Sequence, residues 1–217
     1  MLLEKDSYIP PLKYHFLTKY YDFVVRLTTR ESVFKRELVK QCVTDAKQRI
    51  LDIGCGTGNL TKMLALGNSQ ANIVAFDADK TALDIAQKNN RELASRIQYQ
   101  LGMAQALPFE SDTFDVVVSS LFFHHLTLAQ KQLVLLQCKN VLKQNGTIYI
   151  ADWGTPTSRL QRFLFYIVQL LDGFETTSDN VTGLLPKLLE EAGFNQVSNI
   201  FTCQTMLGTI RILSASK

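Results

Sequence analysis

The chain is poor in the features that mark a disulfide-linked, metal-binding or secreted scaffold. No two of its four cysteines form a CxxC pair; they stand at Cys42, Cys55, Cys138 and Cys203. This spacing argues against a zinc site and a disulfide framework, and it favours a reducing compartment. The stretch from Met1 to Pro11 lacks the apolar run of a secretory signal. We therefore expect a cytoplasmic protein.

Long hydrophobic runs and blocks of one charge are also missing. The longest apolar run, Phe163 to Leu171, is broken by Gln169 and has about half the length that a membrane span requires. The formal net charge is only +3 and no Lys/Arg block occurs, so we expect no nucleic-acid partner. With 46% hydrophobic and 20% charged residues the chain can form an ordinary soluble core. Its oligomeric state stays open.

Without repeats or low-complexity linkers, the sequence favours one domain. Strand-like and helix-like apolar patterns alternate, which is typical of an α/β fold with a parallel sheet, and a short turn near Cys203-Gln204 favours an antiparallel last pair. The predicted strands are Arg49–Gly54, Asn72–Asp77, Ile97–Leu101, Phe114–Ser119, Thr147–Asp152, Gln196–Thr202 and Thr205–Ala215. The predicted helices are Tyr14–Thr28, Ser32–Thr44, Asn59–Leu66, Asp79–Asn90, Leu128–Leu142, Ser158–Leu171 and Leu184–Ala192. A helix stop near Asn145-Gly146 and a polar loop over Glu175–Asn180 are predicted as well.

The strongest local signal is LDIGCGTGN, residues 51–59, which follows a predicted strand and opens a predicted helix. Its three glycines let the backbone turn tightly and approach a ligand, and the free N–H groups at the helix start suit a carboxylate. The spacing is D-x-G-x-G-x-G and not the GxGxxG of dinucleotide-binding proteins. The run predicts a nucleotide-binding turn; the alternative is a glycine-rich turn without a ligand.

A carboxylate ends the second predicted strand, in the sequence Ala75-Phe76-Asp77. At this place an aspartate can accept hydrogen bonds from both hydroxyls of a ribose. The alternative is a solvated turn or a helix cap, for which Asp79 is the better candidate.

These motifs resemble the class I S-adenosylmethionine-dependent methyltransferases, in particular the small-molecule branch typified by the C-methyltransferases of ubiquinone and menaquinone synthesis. The resemblance covers Arg49 to Asp152 and rests on LDIGCGTGN (51–59), AFD (75–77), LGMAQALPFESDTFDVVVSS (101–120), FFHHL (122–126) and VLKQNGTIYIAD (141–152). It implies a Rossmann-like three-layer α/β/α sandwich, whose seven-stranded, mostly parallel sheet ends in an antiparallel C-terminal hairpin. Residues 1–217 would then form one methyltransferase domain, with N-terminal helices (1–47), a cofactor-binding core (48–153), a substrate-side lid or insert (154–183), and the last helix with the antiparallel strands (184–217).

The resemblance also implies S-adenosylmethionine as cofactor, S-adenosylhomocysteine as product, a small-molecule acceptor and no metal. Asp52 and the loop from Gly54 to Gly58 would hold the methionine end, and Asp77 the ribose hydroxyls. Ala78 would lie beside the adenine, with the segment Gly102 to Ala104 on its other face. The further cofactor contacts that it implies are Cys55, Gly56, Thr57, Asn59, Asp79, Met103, Ser119, Ser120 and Leu121.

One position departs from the family pattern. Many relatives carry an aspartate where this chain has Met103, and that aspartate commonly accepts a hydrogen bond from the adenine amino group. A methionine cannot replace it, although its thioether can pack on the ring. Since a net hydrogen bond is worth about 0.5–1.5 kcal/mol, we expect cofactor affinity to fall severalfold.

Methyl transfer from a sulfonium depends mainly on aligning the acceptor and excluding water. A base is needed only where the acceptor carries a proton to remove, and His124 and His125 are the candidates, with Asp152 as a third catalytic candidate. Both histidines could instead have structural roles. Tyr21 and Trp153 are candidate substrate contacts; the alternatives are a helix face packed on the sheet and a core anchor.

The acceptor would be apolar or aromatic if the stripe from Phe163 to Phe174 faced the pocket, although such a stripe can equally be core. A protein or RNA methyltransferase is the next reading, but no proline-rich element follows the fourth strand; Ser119-Ser120-Leu121-Phe122 stands there instead. A nicotinamide-dependent oxidoreductase would need the other glycine spacing. A module that binds S-adenosylmethionine without turnover has only Met103 in its favour.

Overall fold

A computed structural model describes residues 30–44 and 46–217. The strands are β1 (Arg49–Ile53), β2 (Asn72–Asp77), β3 (Ile97–Leu101), β4 (Phe114–Ser120), β5 (Leu142–Gly154), β6 (Asn195–Gln204) and β7 (Thr209–Ser216). The α-helices are α1 (Glu31–Cys42), α2 (Asn59–Gly67), α3 (Lys80–Asn89), α4 (Leu128–Val141), α5 (Arg159–Asp172), α6 (Phe174–Thr182) and α7 (Leu185–Glu191). Short 3₁₀ turns cover Arg91–Leu93 and Phe123–His125. None of the helices described is long and apolar enough to span a membrane.

The seven strands form one sheet in the order β3-β2-β1-β4-β5-β7-β6. The first five pair in parallel, whereas β7 lies antiparallel between β5 and β6. The predicted fold class, a mostly parallel sheet that ends in an antiparallel hairpin, is therefore confirmed. The carboxyl ends of β3, β2, β1 and β4 follow one another along one edge, where open α/β sheets place their ligands.

Side chains of the central strands alternate between two cores, as expected for a sheet covered on both faces. Ile50 of β1 points into a core with α1, α2, α3 and α5, while Leu51 and Ile53 point into a second core with α4 and α7. All three side chains are fully buried. The sheet is therefore covered by helices on both faces, which gives the three-layer α/β/α arrangement.

The bounds of the predicted elements agree closely with the observed bounds where buried apolar residues recur at the period of a strand or a helix. The bounds of β2 and β3 are as predicted, and α1, α2, α3, α5 and α7 differ from prediction by at most two residues at either end. The side chain of Asp79 accepts from the N–H groups of Thr81 and Ala82 at 2.7 and 3.2 Å, so it caps α3. The predicted helix Tyr14–Thr28 lies outside the described residues.

The prediction of a polar loop over Glu175–Asn180 is wrong, because these residues belong to α6. This helix buries polar residues, Thr176, Thr177 and Asn180, so its sequence lacks an apolar period. It is held instead by tertiary contacts: the fully buried Lys131 of α4 donates to Thr176 O at 2.7 Å and lies 3.3 Å from Asp179. Burial lowers the pKa of Lys131, although Asp179 opposes that effect.

Two predicted turns are also displaced. The helix predicted over Leu128–Leu142 is observed over Leu128–Val141, one residue shorter, but Asn145-Gly146, predicted near its stop, lies within the long strand β5. The chain reverses between β6 and β7 at Thr205–Gly208, where Thr205 N donates to Gly208 O at 2.9 Å, and not at Cys203-Gln204. The sheet extends beyond both predicted runs, since Leu142 of β5 lies opposite Phe114 of β4, and Cys203 and Gln204 of β6 lie opposite Ile210 and Thr209 of β7.

The apolar stripe on α5 splits between core and surface. Phe165 is fully buried and its ring packs edge-on against Trp153 at 5.2 Å. In contrast, Phe163 and Leu170 expose 69% and 78% of their surface, so these side chains do not face a pocket.

Candidate cofactor and active site

The glycine turn after β1 is shaped by positive backbone angles and close packing. Gly54 has φ 69°, and its N–H donates to Phe76 O of β2 at 2.9 Å. A Cβ on Gly54 would lie 2.5 Å from Phe122 Cδ2, whereas a Cβ on Gly56, at φ 53°, would meet nothing within 4 Å. A glycine is thus needed at position 54 because Phe122 occupies the place of a Cβ, whereas the glycine at position 56 leaves open space at the turn.

Asp77 is fixed at the end of β2 by backbone donors. Its Oδ2 accepts from Gly56 N at 2.8 Å, and its Oδ1 accepts from Asp79 N at 2.9 Å. Burial raises the pKa of this carboxyl above its usual value, while the two backbone N–H groups act in the opposite direction. The carboxylate is therefore held in one orientation beside the glycine turn and keeps acceptor sites for further hydroxyl donors.

Asp52 lies beneath the turn and is 1% exposed. Its Oδ2 accepts from Thr61 Oγ1 at 2.5 Å. Burial raises the pKa of Asp52 to about 6, although the Thr61 hydroxyl and the charge of Lys35 lower it. Asp52 connects β1 to α2, and its proposed role toward the methionine end of a cofactor stays a prediction.

A cleft of about 210 Å³ opens at the carboxyl ends of β1 to β4. Seven of the residues predicted to bind cofactor line it: Gly54, Gly56, Asp77, Ala78, Gly102, Ala104 and Leu121. Sequence reasoning missed five further lining residues: Phe76, Gln105, Phe122, Leu126 and Gln130. The first four lie within or beside the quoted motifs, so their neighbourhood was a usable signal. Gln130 reaches the cleft only through the packing of α4, which no local pattern indicates.

The other predicted cofactor residues lie around the cleft without lining it. Cys55 is buried, and burial strongly raises the pKa of its thiol, so it remains protonated. Thr57, Gly58 and Asn59 border a different surface depression, and the amide of Asn59 donates to Glu31 of α1.

The end of β4 departs from regular strand geometry beside the cleft. Ser119 Oγ donates to Ile53 O at 3.0 Å, and the buried Ser120 Oγ has no hydrogen-bond partner among the described residues. Leu121 has φ 54°, a left-handed conformation that is costly for a residue with a Cβ. Strain of this kind is often retained at functional sites.

His124 and His125 differ sharply in environment. His124 is 3% exposed, its Nδ1 lies 2.8 Å from Asp152 Oδ1, and its Nε2 lies 3.8 Å from Asp172. Burial lowers the pKa of His124, but the charges of Asp152 and Asp172 outweigh that effect and raise it above its usual value. This imidazole therefore joins the turn after β4 to the ends of β5 and α5.

His125 lines the cleft, and its ring centre lies 4.0 Å from that of His124. Burial and the neighbouring His124 charge lower the pKa of His125 to about 3. Its imidazole is therefore neutral at physiological pH and presents an acceptor nitrogen.

Asp152 and Trp153 face inward. Burial raises the pKa of Asp152, but His124 outweighs it and holds the pKa below its usual value; Trp153 N also donates to the Asp152 carboxylate at 2.7 Å. Trp153 is 4% exposed and packs on Phe165, so the geometry favours a core anchor over a substrate contact. The candidate substrate residue Tyr21 lies outside the described residues.

Comparison with known proteins identifies the family of this chain. A family model described as a methyltransferase domain matches residues 50–146. An uncharacterised methyltransferase from Synechocystis sp. is 32% identical over 181 residues, which cover 82% of each chain. The ubiquinone/menaquinone biosynthesis C-methyltransferase UbiE of Blochmanniella floridana is 29% identical over 73% of this chain and 64% of its own length. The crystal structure of YcgJ from Bacillus subtilis aligns with a TM-score of 0.67 at 16% identity, covering 84% of this chain and 97% of that one.

The chain therefore belongs to the class I methyltransferases, and it is an S-adenosylmethionine-dependent enzyme. The cleft fits that cofactor. Gly56 leaves space at the turn, Asp77 holds a fixed carboxylate beside it, and Ala78 and Ala104 present small side chains to the cleft.

Proposed function

We propose that the protein transfers a methyl group to a small, uncharged, largely apolar or aromatic molecule. The observation that carries the proposal is the chemistry of the cleft. Asp77 and His125 are the only titratable side chains among its described lining residues, and no lysine or arginine is present there. A lining of this kind has no group to neutralise the phosphates of RNA, whereas it suits a compact apolar acceptor.

Bound S-adenosylmethionine supplies a methyl group that its sulfonium already activates. The protein must then orient the acceptor and exclude water, and well-aligned reactants can gain about 7–11 kcal/mol in this way. Leu121, Phe122 and Leu126 form an apolar wall at the β4 end of the cleft. We assign these three side chains to packing against the acceptor.

His125 has the geometry and charge to orient a hydroxyl or enol group on the acceptor. Its neutral ring can accept a hydrogen bond from such a group as the oxygen or the adjacent carbon attacks the methyl group. With a pKa of about 3 it holds a proton weakly, so positioning is its main contribution, and the proton that the acceptor loses is released to bulk solvent when the cleft opens. His124, buried between two aspartates, holds the turn in place.

One relative supports an acceptor of this class. The Blochmanniella floridana protein is named for C-methylation in ubiquinone and menaquinone biosynthesis. An aromatic ring that carries a hydroxyl group would meet both requirements of the present cleft, apolar walls and one hydrogen-bond acceptor.

The test is to follow a labelled methyl group. Purified protein and methyl-labelled S-adenosylmethionine are incubated with a cell extract, and the label is fractionated into small molecules, lipid, protein and nucleic acid. We expect label in the organic-soluble small-molecule or lipid fraction, with an equal amount of S-adenosylhomocysteine. Asp77→Ala should strongly reduce this transfer when S-adenosylmethionine is kept near the Kd of the unmodified protein.

Asp84→Ala is the matched control, because it removes an exposed carboxylate of α3 that pairs only with Lys80 in the described structure. It should transfer label like the unmodified protein. Label in protein or RNA would contradict the proposal, and so would a charged, water-soluble product. In a second arm, His125→Phe should reduce turnover more than it weakens S-adenosylhomocysteine binding.

A further inference from the structure

Met103 leaves the adenine amino group without the acceptor expected from the family pattern. In the structure Met103 does not line the cleft, and its carbonyl accepts from Ala106 N at 3.0 Å in a tight turn. Gln105, inside the same turn, does line the cleft. The turn thus places Gln105, and not Met103, on the cleft wall.

The order of the strands shows which part of the cofactor lies near Gln105. Along the sheet edge, the segment with Gln105 follows β3, Asp77 ends β2, the glycine turn follows β1, and Leu121 follows β4. With the ribose at Asp77 and the methionine end at the glycine turn, the base must extend toward β3. His125, which follows β4, is about 14 Å away at the spacing of adjacent strands.

The other polar side chains of the cleft wall are already engaged. Asp77 accepts from two backbone N–H groups beside the ribose position. Gln130 Oε1 accepts from Thr127 N at 3.0 Å as part of the cap of α4, which leaves only its donor group. No hydrogen bond of the Gln105 side chain occurs within the described residues, so both its acceptor and its donor are available.

We propose that the side-chain amide of Gln105 binds the edge of the adenine, its Oε1 accepting from the 6-amino group. A primary amide pairs with adenine through one acceptor and one donor, the arrangement by which glutamine reads adenine in nucleic acids. Gln105 would then replace the carboxylate that Met103 lacks, and the adenine would retain a specific contact.

Calorimetric binding of two ligands tests this assignment without turnover. The ligands are S-adenosylhomocysteine and its 6-desamino analogue, in which hydrogen replaces the amino group. The unmodified protein should bind the analogue about two- to tenfold more weakly, the range of one net hydrogen bond. Gln105→Leu should weaken binding of S-adenosylhomocysteine by the same factor and leave binding of the analogue within twofold.

Two further variants separate this role from packing. Gln105→Glu keeps an acceptor oxygen and should retain the preference for the amino group. Gln100→Leu removes an amide on β3 that donates to Leu101 O outside the cleft, and it should bind both ligands normally. If Gln105→Leu weakens both ligands equally, or if its preference for the amino group survives, the assignment is wrong.

Discussion

Replacing Gly54 by alanine should damage both the stability of the fold and the cleft. The added Cβ would lie 2.5 Å from Phe122 Cδ2 and 2.7 Å from Phe122 Cβ, too close for any contact between carbon atoms. The backbone at this position also has φ 69°, which alanine adopts with difficulty. Relief of the clash requires Phe122, a wall of the cleft, to move.

The magnitude follows from these two effects. A left-handed backbone costs a non-glycine residue about 1–2 kcal/mol, and overpacking costs about 1–3 kcal/mol. We therefore expect Gly54→Ala to lower the free energy of unfolding by about 2–5 kcal/mol. Urea denaturation followed by circular dichroism measures this value, and calorimetry with S-adenosylhomocysteine measures the accompanying loss of binding.

Gly56→Ala is the matched comparison, since its Cβ would meet nothing within 4 Å. Only the backbone term applies, about 1–2 kcal/mol, while the new methyl group lies at the cleft and should block the ligand. A double-mutant cycle with Phe122→Ala should recover part of the overpacking cost for Gly54, because it removes the ring but keeps Phe122 Cβ, and it should recover none for Gly56. Equal stability losses in the two single variants, or no coupling to Phe122, would refute this reasoning.

Three further predictions concern buried charges. His124→Asn should cost about 3–5 kcal/mol, because it breaks the buried contacts of the imidazole with Asp152 and Asp172. Since the folded-state pKa of His124 is raised, its stabilising contribution is complete below pH about 6.5 and is lost as pH rises through the folded pKa; the free energy of unfolding should therefore depend less on pH between pH 6 and 9 in the variant. As pH rises from about 4 to 6, the free energy of unfolding of Asp52→Asn should increase by up to about 3 kcal/mol relative to that of the wild type, because ionisation of the buried carboxyl, whose pKa is about 6, disfavours the folded wild type. Parallel plots of unfolding free energy against pH for the two proteins would contradict this expectation. Lys131→Met removes the donor to Thr176 O and should speed hydrogen exchange of the α6 backbone amides. Lys187→Met, on the exposed face of α7, is the control and should leave that exchange unchanged. Unchanged exchange of α6 in Lys131→Met would show that Lys131 does not hold this helix.

Much of the fold was predictable because buried strands and amphipathic helices carry their own periodicity. The strands β2 and β3 have clear apolar patterns and strong turn residues at both ends, and their bounds were predicted correctly. Helix α6 was not predicted, since it buries polar side chains in place of an apolar stripe. The Thr176 and Thr177 hydroxyls donate to carbonyls three or four residues earlier, and the Asn180 amide donates to Trp153 O, 27 residues away. Lys131 lies 45 residues from the Thr176 carbonyl to which it donates. Tertiary contacts of this kind stabilise a helix without leaving a local signal.

Within the candidate site, too, some features could be predicted from local motifs and others depend on contacts between residues distant in sequence. The glycine turn and Asp77 belong to contiguous motifs, so the sequence indicated them and the structure brings them together through the 2.8 Å contact between Gly56 N and the carboxylate. The contact of His124 with Asp152 joins residues 28 positions apart, and the pKa values of the two adjacent histidines shift in opposite directions, upward for His124 and downward for His125. No pattern around His124 and His125 distinguishes the one that lines the cleft from the one that anchors the turn.

The most direct measurement of the central claim is calorimetric titration of the purified protein with S-adenosylhomocysteine. We expect one site per chain and about a ten- to hundredfold loss of affinity in Asp77→Ala, because hydrogen bonds to a charged group are worth about 1.5–3 kcal/mol. Asp84→Ala should bind normally. No binding by the wild type, or undiminished binding by Asp77→Ala, would contradict the assignment of the cofactor to this cleft.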